Sequence, residues 1–326
     1  MRDAYAKFQE NNIKLYAVSY DDQPTLKEFA EKQEIPYPLL SDIDSEVIRT
    51  YGILNTEVSR DDAMLYGIPF PGVFVTDENG QITAKFFHDT YKKRDSPEIL
   101  IDAALGRVTL DEGTAQVEAG DTEVKITAAI RGGKGSIRQG VIRHLIVRFE
   151  LAEGLHIYGE PVPEGMVATQ ITVDGPPGFT VMDAIQPPTR KLHVAGADLE
   201  VWSGTVDLIV PFYATGELAS ETRPLDMNEA PIEVKIRYQA CTDEACLLPR
   251  TETLSFSLPL DVIDVPALSL HMGHGQREGN YNSMPAMRRL LFRKARAYPP
   301  GFFKYLFKTL KLSLASRKRA QQKNRR

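Results

Sequence analysis

Along residues 1–106 the apolar positions switch repeatedly between helical spacing and short, strand-like runs. Residues 4–11 read as the end of a helix, 13–19 as a buried strand, 25–33 as an amphipathic helix and 45–51 as another. Residues 73–76 and 81–87 form the arms of a predicted hairpin turned at Asp77-Glu78-Asn79-Gly80. Ser96, Pro97 and Glu98 then open a last helix with an N-cap residue and a first-turn proline. Helices and strands in alternation predict an α/β domain.

From Thr122 the period becomes two. Residues 124–130, 141–151, 168–173, 201–212, 232–240 and 253–258 are β-rich runs, separated by glycine and proline clusters such as Asp174-Gly175-Pro176-Pro177-Gly178. Several strands with almost no helical signal predict a second, all-β sandwich domain over residues 122–262, joined to the first by a linker at 107–121. Beyond it, residues 263–326 form a tail. Within 302–314, Phe303, Leu306, Phe307, Leu310 and Leu314 would share one helical face, with Lys304, Lys308 and Lys311 beside it.

Composition adds little to this picture until charge is followed along the chain. A length of 326 residues, 42% hydrophobic and 25% charged, suits two ordinary globular domains. No run approaches the length of a membrane span, and Met1-Arg2-Asp3-Ala4-Tyr5 lacks the apolar core of a signal peptide. The sequence as written therefore predicts a cytoplasmic protein, with a periplasmic or membrane-peripheral location as the alternative.

The formal charge of -5 conceals a reversal: after Glu278 there are 14 Lys or Arg and no acid, which leaves 25 bases against 44 acids in residues 1–278. Such a tail suits an anionic membrane surface, a solvated or body-docked end, or a nucleic-acid arm. Its interleaved phenylalanines and leucines favour the first over the last, because phosphate binding needs no aliphatic face.

Cofactor chemistry finds no motif. Gly132-Gly133-Lys134-Gly135 lacks phosphate-loop spacing, and Asp42-Ile43-Asp44 lacks the glycine and distal glutamate of a calcium loop. His271 and His274 suit a polar linker better than a metal site. What remains is a pair of cysteines in one six-residue segment, Cys241-Thr242-Asp243-Glu244-Ala245-Cys246. A disulfide-exchange pair, a structural disulfide or inert thiols, and metal ligation are all compatible with it. Metal is the weakest reading, since no second ligand pair sits at zinc-ribbon spacing.

The first domain carries Leu15-Tyr16-Ala17-Val18-Ser19-Tyr20-Asp21, Leu26-Lys27-Glu28-Phe29-Ala30, Tyr37-Pro38-Leu39-Leu40-Ser41-Asp42 and Tyr51-Gly52-Ile53. After these come Gly67-Ile68-Pro69-Phe70-Pro71-Gly72-Val73-Phe74-Val75-Thr76-Asp77 and Gly80. In this order the motifs resemble the second half of a peroxiredoxin of the AhpC/TSA type. The resemblance implies a thioredoxin-like fold, with Pro71 at the position of its cis-proline. Family members carry the peroxidatic or CxxC cysteine upstream of the point where these residues begin, and this sequence has no cysteine before Cys241. Without a thiolate the domain as given has no nucleophile for peroxide and is not a thiol peroxidase. The resemblance also implies a missing central strand, leaving apolar faces open, and Met1 is expected to be an internal residue of a longer reading frame.

The second domain carries Gly154-Leu155-His156-Ile157-Tyr158-Gly159-Glu160, Thr169-Gln170-Ile171, Gly175-Pro176-Pro177-Gly178 and Gly204. Its final motif is Tyr238-Gln239-Ala240-Cys241-Thr242-Asp243-Glu244-Ala245-Cys246-Leu247-Leu248-Pro249. Together these resemble the N-terminal domain of the thiol:disulfide interchange protein DsbD. That resemblance implies an immunoglobulin-like sandwich passing electrons to a thioredoxin-like protein or domain, with Cys241 and Cys246 exchanging and Tyr238 and Pro249 framing them. His156 and Tyr158 belong to the same motif but read as strand and core residues. Cysteines five apart on a tight hairpin are close enough to bond, and closing so short a loop stabilises by only about 2 kcal/mol. Asp243 and Glu244 between the sulfurs disfavour a thiolate. The alternative is a non-catalytic binding protein with a vestigial redoxin domain.

Overall fold

The computed structural model describes residues 1–110, 114–194, 197–220, 223–242, 244–262 and 284–323. They form two compact units: Met1–Gly72 with Met272–Arg326, and Val73–His271.

In the first unit the expected order of helices and strands is present: α1 (Tyr5–Glu10), β1 (Ala17–Ser19), α2 (Gln23–Gln33), β2 (Leu39–Ser41) and α3 (Glu46–Thr50). Asp22 caps α2 by accepting from the Thr25 amide at 2.9 Å, with Pro24 in the first turn. The Asp42 carboxylate accepts from the Glu46 and Ile48 amides at the start of α3. β1 and β2 pair in parallel as an isolated two-stranded sheet, Val18 opposite Leu40, and each of these side chains is 45% exposed. The strand expected to be buried over 13–19 is therefore three residues long and open on one face. A two-stranded sheet has too few neighbours to bury it.

The second unit opens with the predicted hairpin, β3 (Gly72–Thr76) and β4 (Ile82–Phe87), and a short β5 (Arg94–Asp95). α4 (Pro97–Leu105) follows, with Ser96 at its N-cap as expected. The stretch read as a linker ends in a strand, β6 (Gln116–Gly120), which pairs with β7 (Val124–Arg131). Then come β8 (Val141–Leu151), β9 (His156–Tyr158), β10 (Gln170–Asp174), β11 (Phe179–Val181), β12 (Arg190–Val194) and β13 (Ala197–Ser203). β14 (Thr205–Ala214), β15 (Glu229–Tyr238), β16 (Ala240–Cys241) and β17 (Arg250–Pro259) complete the unit.

These strands make a sheet ordered β11-β14-β8-β7-β6 with β5 beside β8, a sheet β10-β15-β17, and a sheet β12-β13-β9-β16. β15 shows the reason for the layering: Ala230, Ile232, Val234, Ile236 and Tyr238 are buried while their neighbours are exposed. That is the signature of a strand with one face on a core. Across the core lie Leu145, Val147 and Phe149 of β8 and Leu208, Val210 and Phe212 of β14. The single run expected over 201–212 is two strands in different sheets, because Gly204 (φ +70°) turns the chain between them.

α4 is tied to β7 by charge. Asp102 takes the Arg131 guanidinium in a two-point ion pair at 2.8 and 2.9 Å, with both residues buried. His144 of β8 stands opposite Arg131 in the ladder. Burial first, and the Arg131 charge second, hold its imidazole down to about 4. An unfolded histidine takes up its proton near pH 6.5. Between those values the unfolded state binds more protons, so stability falls as the pH falls. We expect about 3 kcal/mol of stability to be lost between pH 7 and pH 4 on this account. Denaturation followed by the fluorescence of Trp202, the sole tryptophan, should show a shallower pH dependence for His144→Gln. Superimposable pH profiles would remove His144 as the origin.

The chain returns to the first unit with α5 (Met284–Ala297) and α6 (Pro299–Lys323). α5 docks through its bases: Arg289 lies 3.5 Å from Asp22 and donates to the Thr25 hydroxyl at 3.0 Å, and Lys294 donates to the Tyr66 carbonyl and stands over the Tyr20 ring. Burial, then the Arg293 charge, push Lys294 down to about 8.

Candidate functional site

The two cysteines lie at the edge of the four-stranded sheet. β16 pairs antiparallel with β9, placing Ala240 opposite Ile157 and Cys241 opposite His156; β13 pairs with the other side of β9, placing Val201 opposite Tyr158. Partners across a ladder share a face and successive residues alternate faces. Ile157, Trp202 and Ala240 accordingly point into the main core, while Tyr158, Leu199, Val201 and Cys241 make a separate cluster under Val162, Met166 and Leu192. Directly after β9 stands Gly159, where a Cβ would meet Thr189 at 2.9 Å and the Trp202 ring at 3.2 Å.

Past Cys241 the chain reverses and comes back as Cys246. The turn is closed by the Thr242 amide donating to the Ala245 carbonyl at 2.8 Å, and the Thr242 hydroxyl accepts from the Glu244 and Ala245 amides. Below it the Leu247 amide donates to the Ala240 carbonyl at 2.9 Å. Gln239 pins two segments at once, accepting from the Val167 amide and donating to the Leu247 carbonyl. The turn is thus set by hydrogen bonds that do not involve sulfur.

Cys241 and Cys246 are joined as a disulfide, their Cα atoms 4.1 Å apart. Cys241 is fully buried and Cys246 is exposed. The Tyr158 hydroxyl stands 3.6 Å from the Cys246 sulfur and 3.3 Å from His156 Nε2. Burial raises the Tyr158 pKa, which keeps its proton on. A disulfide sulfur has no hydrogen, so in this state Tyr158 donates to it.

Of the residues singled out in the sequence, Cys241 and Cys246 come together. Tyr238 packs elsewhere, in the main core with its ring edge against Phe149 at 5.7 Å. Pro249 is exposed, just before β17. Pro71, which the resemblance puts at the position of the family's cis-proline, follows a trans bond; among the described residues the cis peptide is Glu160–Pro161. Trans is the default for an X–Pro bond that nothing holds otherwise. Glu244 is exposed in the turn, while Asp243, His271 and His274 lie outside the described residues. His156 and Tyr158 are buried strand residues, as expected, yet they also abut the disulfide. Among the described residues no group of three or more His, Cys, Asp or Glu is placed to hold a metal.

Comparison with known proteins gives the two halves separate relatives. Residues 1–85 match the sequence profile of the AhpC/TSA family, and residues 134–258 match that of the N-terminal domain of the thiol:disulfide interchange protein DsbD. Peroxiredoxin Q from the chloroplast of Gentiana triflora is 32% identical over 105 residues, which is 32% of this chain and 42% of that protein. The chain thus spans less than half the length of this plant relative. Among solved structures, the N-terminal periplasmic domain of ScsB from Proteus mirabilis overlaps 45% of this chain and 51% of its own, at 17% identity and a TM-score of 0.30. The reduced N-terminal domain of DsbD from Neisseria meningitidis overlaps 35% and 81%, at 17% identity and a TM-score of 0.24.

Proposed function

We propose that this chain, a redoxin segment of AhpC/TSA type joined to a sandwich of the DsbD N-terminal type, passes electron pairs through Cys241 and Cys246 to or from a thioredoxin-like protein or domain. The observation that carries this reading is the unequal exposure of the two cysteines, Cys241 buried and Cys246 exposed, within a turn that sulfur does not hold together. Exchange proceeds by attack of a thiolate along the S–S axis. A partner thiolate attacks the sulfur of Cys246, the exposed residue of the pair, and Cys241 leaves as the thiolate. The mixed disulfide between Cys246 and the partner is then resolved by the partner's second thiol, which releases reduced Cys246 and an oxidised partner. Two electrons and two protons enter this protein. Run backward, the same steps reduce the partner.

Tyr158 supports both directions. Its hydroxyl can donate to Cys246 as disulfide or thiolate, and a hydrogen bond to the charged form favours that form. His156 Nε2 is within reach to donate to the Tyr158 oxygen in turn. Glu244 in the exposed turn opposes thiolate formation, so the pair suits relay with a partner that supplies the stronger nucleophile.

Redox titration tests the reading. Equilibrated against glutathione or dithiothreitol and trapped by alkylation, the pair should behave as one reversible two-electron couple near the potentials of thioredoxin-like proteins. Thiols that stay alkylatable at every potential would support the rival reading of a non-catalytic binding protein.

A further inference from the structure

In a globular protein the apolar stripe of an amphipathic helix faces the body and the polar side faces water. α6 is turned the other way. Phe303, Leu306, Phe307, Leu310 and Leu314 fall within a sector about 100° wide, and they are 58, 41, 73, 62 and 52% exposed. The side toward the body is carried by Gly301, which is buried with Tyr298 and the backbone of Arg60 close by, and by half-buried Phe302 and Tyr305.

Charge indicates what covers the stripe. Lys308 and Lys311 flank it on one side and Arg317 and Lys318 extend it, all exposed, and no acidic residue follows Glu278. Lys304, on the same flank, is held by Asp61 at 3.0 Å, which ties the root of the helix to the first unit. A nucleic acid would take the bases but has no use for the aliphatic stripe. An acidic protein face would take the bases while leaving large aromatic and aliphatic groups against carboxylates. An anionic lipid surface takes both, since phosphate head groups meet the bases and the acyl boundary receives the stripe. No helix among the described residues is long and apolar enough to cross a membrane, so α6 can lie on a bilayer but not span it.

We propose that α6 is a membrane-surface anchor that lies in the plane of an anionic bilayer, with Phe303, Leu306, Phe307, Leu310 and Leu314 inserted and the flanking bases on the head groups. This stands apart from thiol exchange at the cysteine pair, and its test does not touch that site. The full chain is sedimented with vesicles of phosphatidylcholine alone and with vesicles containing about one-third phosphatidylserine. Partitioning onto the anionic vesicles should exceed that onto the neutral ones at least ~10-fold and weaken in high salt. Phe303→Ser/Phe307→Ser/Leu310→Ser and, separately, Lys308→Gln/Lys311→Gln/Lys318→Gln should each lower it by about ten-fold or more. All the altered side chains are exposed, and circular dichroism verifies that the variants remain folded. Absence of the full chain from anionic vesicles overturns the proposal, as does equal binding by the triple serine variant. Self-association that the serine variant abolishes, without lipid binding, overturns it in favour of a contact between copies of the chain.

Discussion

Thiol–disulfide exchange should fall to background in Cys246→Ser and should stall after one step in Cys241→Ser, with the sandwich folded in both. The asymmetry follows from exposure. Cys246 is the sulfur a partner reaches, so its loss removes the site of attack; Cys241 is fully buried, so its loss leaves Cys246 able to form a mixed disulfide that nothing within the protein resolves. A thioredoxin-like protein whose second cysteine is replaced by serine, and whose remaining cysteine is activated as a mixed disulfide with a small thiol, should therefore accumulate as a covalent adduct with Cys241→Ser and not with Cys246→Ser, as read on non-reducing gels and by mass. Stability should fall by only about 2 kcal/mol, because the bond closes a very short loop and the turn keeps its backbone hydrogen bonds. Unfolding of both variants at room temperature would make the pair a structural staple, and undiminished turnover in either would end the relay reading.

Asp102→Ala should cost far more stability, about 3–5 kcal/mol, although it lies away from the cysteines. The substitution takes from the buried Arg131 guanidinium, 3% exposed, the carboxylate that meets it at two points. Burying an ion pair in the first place brings little net gain, since desolvation offsets attraction. The double variant Asp102→Leu/Arg131→Met should accordingly recover most of the loss. Trp202 lies in the sandwich core and donates its indole N–H to the Pro187 carbonyl at 3.0 Å, so its emission reports this unit in urea titrations. A single-variant loss under about 1 kcal/mol would show that the pair is not what holds α4 to β7.

The legible strands are the long ones, whether buried on both faces, as β7 and β8 are, or with one face on a core. The alternation in β15 and β17 announces itself because each exposed residue separates two buried ones. β9, β11 and β12, at three to five residues, are too short for a period to register. The division at Gly204 was visible in principle, since a glycine interrupts the run, but two abutting strands look like one until their sheets are known. The cysteine pair was legible through its chemistry. Tyr158 and His156 were not assigned to it, because a ladder between residues 156–158 and 240–241 leaves no trace in local spacing. Tyr238 illustrates the converse: the family resemblance implied that it frames the pair, but Tyr238 and Ala240 point to one core and Cys241 to the other cluster.

The first unit is assembled from both ends of the chain, with α5 bound to residues 20–28 and 66. During synthesis these early residues emerge 228 to 264 residues ahead of their α5 hydrogen-bond partners, a wait of roughly 11–55 s at ribosomal rates. The sandwich unit, contiguous in sequence, is complete before α5 has been made. The middle of this sequence is thereby ready to close before its first 72 residues have the helix that packs on them.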